Sequence, residues 1–195
     1  MASIHFHYST MNAGKSANLI NANYNYLERN MKTLVLKPAI DTREADAVVR
    51  SRTGNQTPCT LFGPEEDVYA LVVRLTEELG VMPKCIFIDE CQFMSSQQVM
   101  QLTDVVDELH IPVMCYGLCS DFQGNLFGGT AALFAVADRV VEIRTICWCG
   151  SKAHMVLRLD EAGLVVREGD QIKVGGNDSY VSVCRRHFKA GLVSG

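Results

Sequence analysis

An α/β fold, a mainly parallel sheet flanked by helices with a small module appended, follows from three features of this sequence. Short runs of β-branched and apolar residues alternate with stretches of helical spacing, the pattern of right-handed βαβ crossovers. The strand-like runs are apolar at consecutive positions, as strands covered on both faces require. The alternation stops near Thr145, where paired cysteines and several glycines take over.

Each element can be justified in turn. Ile4–Tyr8 is an apolar run that reads as the first strand, and Lys15–Arg29 has helical character although its asparagines make it a weak helix former. Thr33–Lys37 is a second strand, stopped by Pro38. Residues 39–64 are polar, carry Asp41, Arg43, Arg50 and Arg52, and read as a long irregular segment of the kind that often forms a lid. Glu65–Leu79 places Val68, Leu71, Val72, Leu75 and Leu79 on one helical face. Cys85–Ile88 is a buried strand ending in Asp89 and Glu90, and Ser95 or Ser96 caps a helix over Gln97–Leu109. Pro112–Tyr116 is a further strand, followed by the loop Gly117–Gly129, a short helix over Thr130–Ala137 and a strand over Arg139–Arg144. The expected division is a core over residues 1–144 and a second module over 145–195.

Bulk composition narrows the function. The chain has 195 residues, enough for one ordinary domain and an appendage, and 48% apolar with 21% charged residues is ordinary for a globular protein. No apolar stretch is long enough to span a bilayer, and the N-terminus lacks the basic and apolar regions of a secretory signal. Cytoplasm is the expected location, with no membrane partner. A net charge of −4 argues against tracking nucleic acid through its phosphates. In a reducing compartment the eight cysteines are core residues, metal ligands or reactive thiols. Cys85 and Cys115, in apolar runs, are expected to be buried.

Three constellations carry chemistry. The segment Ser9-Thr10-Met11-Asn12-Ala13-Gly14-Lys15-Ser16 stands between a strand and a helix, where successive backbone N–H groups converge on phosphate. There Lys15 reaches the β- and γ-phosphates of a nucleoside triphosphate and the Ser16 hydroxyl ligates Mg²⁺. The usual pattern begins with glycine, and Ser9 occupies that place: either the loop turns there without positive φ, or the motif is accidental. Asp89 and Glu90 end a buried strand, where ligands of parallel sheets sit. Asp89 is assigned to the metal and Glu90 to the base that takes a proton from an attacking hydroxyl. Adjacent strand residues point to opposite sides, so both can serve one ligand only if the strand has ended. The third set is Cys147, Cys149, Cys184 and His187, a donor set for a closed structural zinc site, with packing cysteines as the alternative. Tyr180, Phe122 and Phe127 are aromatic residues that either stack on a base or fill a core. Arginines of the polar segment are expected to supply at least one phosphate contact.

Taken together and in order, these pieces resemble the cytosolic (type II) thymidine kinase family, and its enterobacterial branch in particular. The matching residues are Met11 to Ser16, Asp41-Thr42-Arg43, Asp89-Glu90-Cys91-Gln92-Phe93, Gly117-Leu118 through Asp121-Phe122, Cys147 and Cys149, Gly175-Gly176 to Tyr180, and Cys184 to His187. The resemblance implies a P-loop, RecA-like core with a zinc-bound lasso, and transfer of the ATP γ-phosphoryl to the 5′-hydroxyl of thymidine, with deoxyuridine as a further acceptor. It implies Glu90 as general base. Ser9 to Ser16, Asp41, Arg43, Asp89 and Gln92 stand around the ATP phosphates, and Met11, Leu118, Phe122, Phe127 and Tyr180 around the nucleoside. It also implies a homotetramer and feedback inhibition by thymidine triphosphate. Two rival classes fit parts of the pattern: a nucleic-acid motor ATPase, which DNA-stimulated hydrolysis would reveal, and a zinc-ribbon binding module without phosphoryl transfer.

Overall fold

The computed structural model describes residues 2–39, 47–171 and 180–195. A six-stranded sheet forms its centre. Its strands are β1 (Ile4–Ser9), β2 (Thr33–Pro38), β5 (Thr60–Phe62), β6 (Cys85–Ile88), β7 (Val113–Leu118) and β8 (Arg139–Glu142). They run in the order β5-β2-β6-β7-β1-β8, and every neighbouring pair is parallel.

Side chains of β6 show how the sheet is covered. All four of its residues are buried, and they alternate between two cores. Cys85 and Phe87 pack with Leu19 and Ile20 of α1 (Lys15–Leu27) and with Tyr116. Ile86 and Ile88 join Leu71 and Val72 of α2 (Val68–Leu79), Leu102 and Val105 of α3 (Ser96–Glu108), and Leu133 of α4 (Gly128–Val136). Consecutive apolar residues in a strand therefore mean cover on both faces here. Cys85 and Cys115 are both fully buried.

Local chemistry sets the element ends. Ser95 makes a capping box with Gln98 at the start of α3, each side chain bonding the other's backbone amide at 3.1 Å. Asp67 caps α2 through Ala70 N–H at 2.9 Å, and Gly80 ends it in the left-handed region. The asparagine-rich α1 has a use for one of its weak formers. Asn23 is buried, donates to Thr57 Oγ1 at 3.1 Å and accepts from Thr33 Oγ1 at 2.6 Å.

The segment after β2 departs from the sequence reading. Residues 39–64 are not wholly irregular: β3 (Val48–Arg50) and β4 (Gln56–Pro58) form an antiparallel hairpin, and β5 extends the main sheet at its edge. Strands of three residues are too short to give a periodic signal, although β3 and β5 bury Val49 and Phe62. The expected Asp41 and Arg43 lie outside the described residues.

From Thr145 onward the strands leave the parallel sheet. β9 (Thr145–Ile146) pairs with β10 (Lys152–Ala153), and β11 (Met155–Leu159) lies between β12 (Val165–Val166) and β13 (Tyr180–Val183), all antiparallel. A short α5 (Arg185–Ala190) closes the chain. The apolar centre here is small, with Cys147, Ala153, Leu157 and Val183 buried together.

Candidate active site

The C-terminal ends of β1, β6 and β7 meet at one place. Ser9 stands opposite Leu118 in register, and Ile88 and Phe6 both pair with Cys115, so the loops after these strands rise side by side. Ser9 is not among the residues with positive φ; its hydroxyl donates to the Thr10 carbonyl at 2.8 Å instead. The sharp turn falls later, at Asn12 (φ 62) and Gly14 (φ 86). Asparagine tolerates that region and glycine adopts it freely, so the loop turns without a glycine at its first position.

Lys15 and Ser16 open α1 directly behind this turn. Lys15 is buried and its Nζ donates to the Thr10 carbonyl at 3.1 Å. Burial lowers its pKa, against the pull of Glu90 and Asp89, so the ammonium is held close to two carboxylates with little water around it. The Ser16 hydroxyl donates to Asp89 Oδ2 at 3.1 Å. Burial, and then the adjacent Glu90 charge, raise the Asp89 pKa well above the usual carboxylate range. A desolvated carboxylate beside a hydroxyl and an ammonium is a place that favours added positive charge. Ser16 and Asp89 thus fit a magnesium ion carried by a nucleotide.

Glu90 reaches this site because β6 has ended. The strand stops at Ile88, and Glu90 takes a left-handed backbone (φ 53, ψ 36) that starts the 3₁₀ turn Cys91–Phe93. The opposite-sides rule for strands no longer applies, and both carboxylates face the phosphate loop. Gln92 secures the arrangement: its Nε2 donates to Glu90 Oε2 at 2.6 Å and its Oε1 accepts from Leu118 N–H at 2.9 Å. Gln92 was expected among the phosphate contacts; its side chain instead joins the Glu90 carboxylate to the end of β7. Gly117 makes this possible, since a Cβ there would lie 2.6 Å from Cys91 Sγ and 2.8 Å from Gln92 Oε1.

A cavity of about 350 Å³ opens between these parts, lined by Met11, Asn12, Gly14, Lys15, Ser16, Ala17, Glu90, Leu118 and the hairpin residues Arg50 to Thr53. Lys15 and Glu90 therefore share one crevice. Phe122 and Phe127 do not line it. Phe122 is buried under the Arg158 guanidinium, 3.7 Å from ring centre to Cζ, and Phe127 packs edge-on against Phe93. Tyr180 begins β13, opposite Arg158 in register, and is partly exposed. Arg158 also donates to the Asp170 and Glu168 carbonyls at 2.7 and 3.2 Å, and Gln171 bonds Asp121 at 2.8 Å. The chain before residue 172 is thereby tied to the loop that carries Phe122.

The chain belongs to the thymidine kinase family. The sequence profile described as thymidine kinase matches residues 2–188. Similar curated proteins bear the same name: one from Vibrio parahaemolyticus is 51% identical, covering 98% of this chain and 99% of its own. One from Yersinia pestis is 49% identical over 98% of this chain and 97% of its own. One from Shigella dysenteriae is 49% identical, covering 100% of this chain and 94% of its own.

Members of a kinase family need a nucleotide, and the second cluster is of a different kind. The donor atoms of Cys147, Cys149, Cys184 and His187 all lie within 4.8 Å of one another. His187 Nδ1 is 3.3 Å from Cys147 Sγ and 3.5 Å from Cys184 Sγ. A tetrahedral zinc with bonds of about 2.0–2.3 Å puts neighbouring donors about 3.5–3.8 Å apart, so the residues fit that ion. Trp148 stacks on the His187 ring at 4.2 Å and fixes its plane. Hydrogen bonds from Ser151, helped by Cys147 and Cys184, draw the Cys149 thiol down to about 7, toward the thiolate a metal takes. The short Cys147-x-Cys149 arm does not prevent convergence, because Gly150 turns the chain back (φ 83).

Some contributors gave no usable signal in the sequence. Arg50 and Arg52 were visible only as arginines of a polar segment. Arg158 and Ser182 act on residues far along the chain, and nothing local to them points there.

Proposed function

We propose that this chain transfers the γ-phosphoryl group of ATP to the 5′-hydroxyl of thymidine. The observation that carries this reading is the crevice shared by Lys15 and Glu90, with Ser16 and Asp89 between them. Loop amides and Lys15 hold the triphosphate, and Ser16 and Asp89 hold its magnesium ion, which when bound neutralises the β- and γ-oxygens. Glu90, oriented by Gln92, accepts the proton of the 5′-hydroxyl. The new bond joins that oxygen to the γ-phosphorus, the bond to the β-phosphate oxygen breaks, and ADP leaves. Phosphoryl transfer of this type asks the protein for alignment and charge neutralisation rather than covalent chemistry. Arg50 and Arg52 face the same crevice and add positive charge to it.

Met11 and Leu118 border the nucleoside, with Tyr180 presented by the zinc module. Phe122 and Phe127 shape that side from within rather than by lining the crevice. Asp41 and Arg43 join the phosphate contacts in this reading. Zinc in the cluster of Cys147, Cys149, Cys184 and His187 is structural, since four protein donors leave no open position. The division into a core over 1–144 and a module over 145–195 belongs to the same proposal, as do feedback inhibition by thymidine triphosphate, a homotetramer and a cytoplasmic setting. Exposed Val140 and Val141 on the β8 edge support association between copies. No helix among the described residues is long and apolar enough to cross a membrane.

The test is transfer of labelled γ-phosphate to thymidine, deoxyuridine, the other deoxynucleosides and uridine. Labelled thymidine monophosphate is the expected main product. ATP hydrolysis without a labelled nucleoside monophosphate, or with DNA as the stimulant, overturns the reading.

A further inference from the structure

Strand β13 runs from Tyr180, at the nucleoside side, toward Cys184, in the zinc cluster. Between them Ser182 turns to the phosphate loop. Its Oγ donates to the Met11 carbonyl at 2.6 Å and lies 3.3 Å from Thr10 Oγ1. Thr10 Oγ1 in turn donates to the Met155 carbonyl of β11 at 3.1 Å. The Thr10 carbonyl accepts from Lys15 Nζ on the inner side of the loop. Two residues of the loop are thus gripped by two strands of the zinc module.

The grip falls at a sensitive point. The Met11 carbonyl and the Asn12 N–H belong to one planar peptide, so fixing the first fixes the direction of the second. Asn12 holds a left-handed backbone (φ 62) and lines the crevice. Asparagine tolerates that conformation at some cost, so a restraint on the preceding peptide helps to hold it. The Ser182 hydroxyl supplies one such restraint.

We propose that Ser182 is a positioning residue that sets the phosphate loop for ATP, so that nucleotide binding depends on how the zinc module is seated. This rests on reading Ser9 to Ser16 as the ATP phosphate loop. Loss of one such hydrogen bond commonly changes an affinity by about two- to tenfold. Ser182→Ala is therefore expected to raise the KM for ATP by about that factor with a smaller change in kcat, at unchanged zinc content. Ser182→Thr, which keeps the hydroxyl on a residue suited to a strand, restores the wild-type KM. Thr10→Val removes the bond to Met155 and raises the KM for ATP independently of Ser182.

Steady-state kinetics with ATP varied at saturating thymidine, with zinc measured on the same samples, decides the matter. An unchanged KM for ATP in Ser182→Ala overturns the proposal, whatever Thr10→Val does. So does zinc loss from Ser182→Ala in step with its KM, which makes the serine a structural part of the module. Lys15→Ala separates the role of the loop from that of Ser182. If that variant binds ATP as the wild type does, the phosphate-loop reading fails and the role of Ser182 fails with it.

Discussion

Glu90 holds a backbone conformation that few glutamates adopt, and its neighbours explain why it persists. The left-handed φ costs on the order of 1–3 kcal/mol, and the 2.6 Å bond from Gln92, itself anchored on Leu118 N–H, holds the carboxylate in place. Glu90→Gln keeps the shape and removes the proton acceptor. Turnover is expected to fall by ~10²–10⁴-fold with ATP binding retained, as measured by steady-state transfer and direct nucleotide titration. Wild-type turnover in that variant excludes Glu90 as the base. His7 stacks its ring on Tyr116 at 4.6 Å, and its buried Nε2 has no hydrogen-bond partner among the described residues. Burial, then the nearby His5, lowers its pKa. The unfolded chain takes up a proton near pH 6.5, where the folded chain still resists it. The unfolded state therefore binds more protons just below that pH, and stability is full above about 6.5 and lost as pH falls further. His7→Phe is expected to show a smaller drop in Tm between pH 7.5 and 5.5 than the wild type. An equal drop in both proteins removes His7 as a source of acid sensitivity.

At the scale of elements, the end of β7 shows which parts of the site could be read from sequence. The strand–loop–helix context of Gly14-Lys15-Ser16 and the acidic end of β6 are local patterns, and the structure brings them to one crevice. The tight approach of β7 to the 3₁₀ turn is not local. Gly117 looks like any loop glycine until its neighbours Cys91 and Gln92, more than twenty positions earlier, are seen against it. The hairpin over 48–58 was missed for a related reason. Its strands are held by one buried valine, Val49, and by the Asn23–Thr57 hydrogen bond, too little for an apolar repeat. Phe122 has two readings in the sequence, stacking on a base or filling a core, and it is covered by Arg158, whose partners lie in the module that follows. Gly117→Ala tests the close approach. The added methyl has no free space, and overpacking of this kind costs typically ~1–3 kcal/mol. Because it meets Cys91 Sγ and Gln92 Oε1, the variant is expected to lose turnover, by tenfold or more on the same steady-state assay, besides melting at a lower temperature. A lower Tm with full turnover means that Gln92 does not orient Glu90.

Across the whole molecule, stability and function are unevenly divided. Both large apolar clusters draw their buried residues from before residue 134, whereas the buried cluster after Thr145 has Cys147, Ala153, Leu157 and Val183. That is a small core even with Met155, Val165, Val181, Phe188 and Val193 packed against it, and a metal held by Cys147, Cys149, Cys184 and His187 would add folding free energy to it. The same strands present Tyr180 and, through Ser182 and Met155, grip the phosphate loop. Removing one zinc donor therefore has an asymmetric outcome. Cys184→Ser is expected to weaken zinc binding by at least ~10–100-fold, the loss seen even for outer partners of metal ligands. Atomic spectroscopy of the purified protein reads this directly. The parallel sheet keeps its own core and should still melt cooperatively, while limited proteolysis should cut first after Thr145. KM for thymidine should rise while the melting temperature of the sheet changes little, if the module covers the nucleoside as proposed. Unchanged metal content, or collapse of the sheet along with the module, contradicts this division of labour.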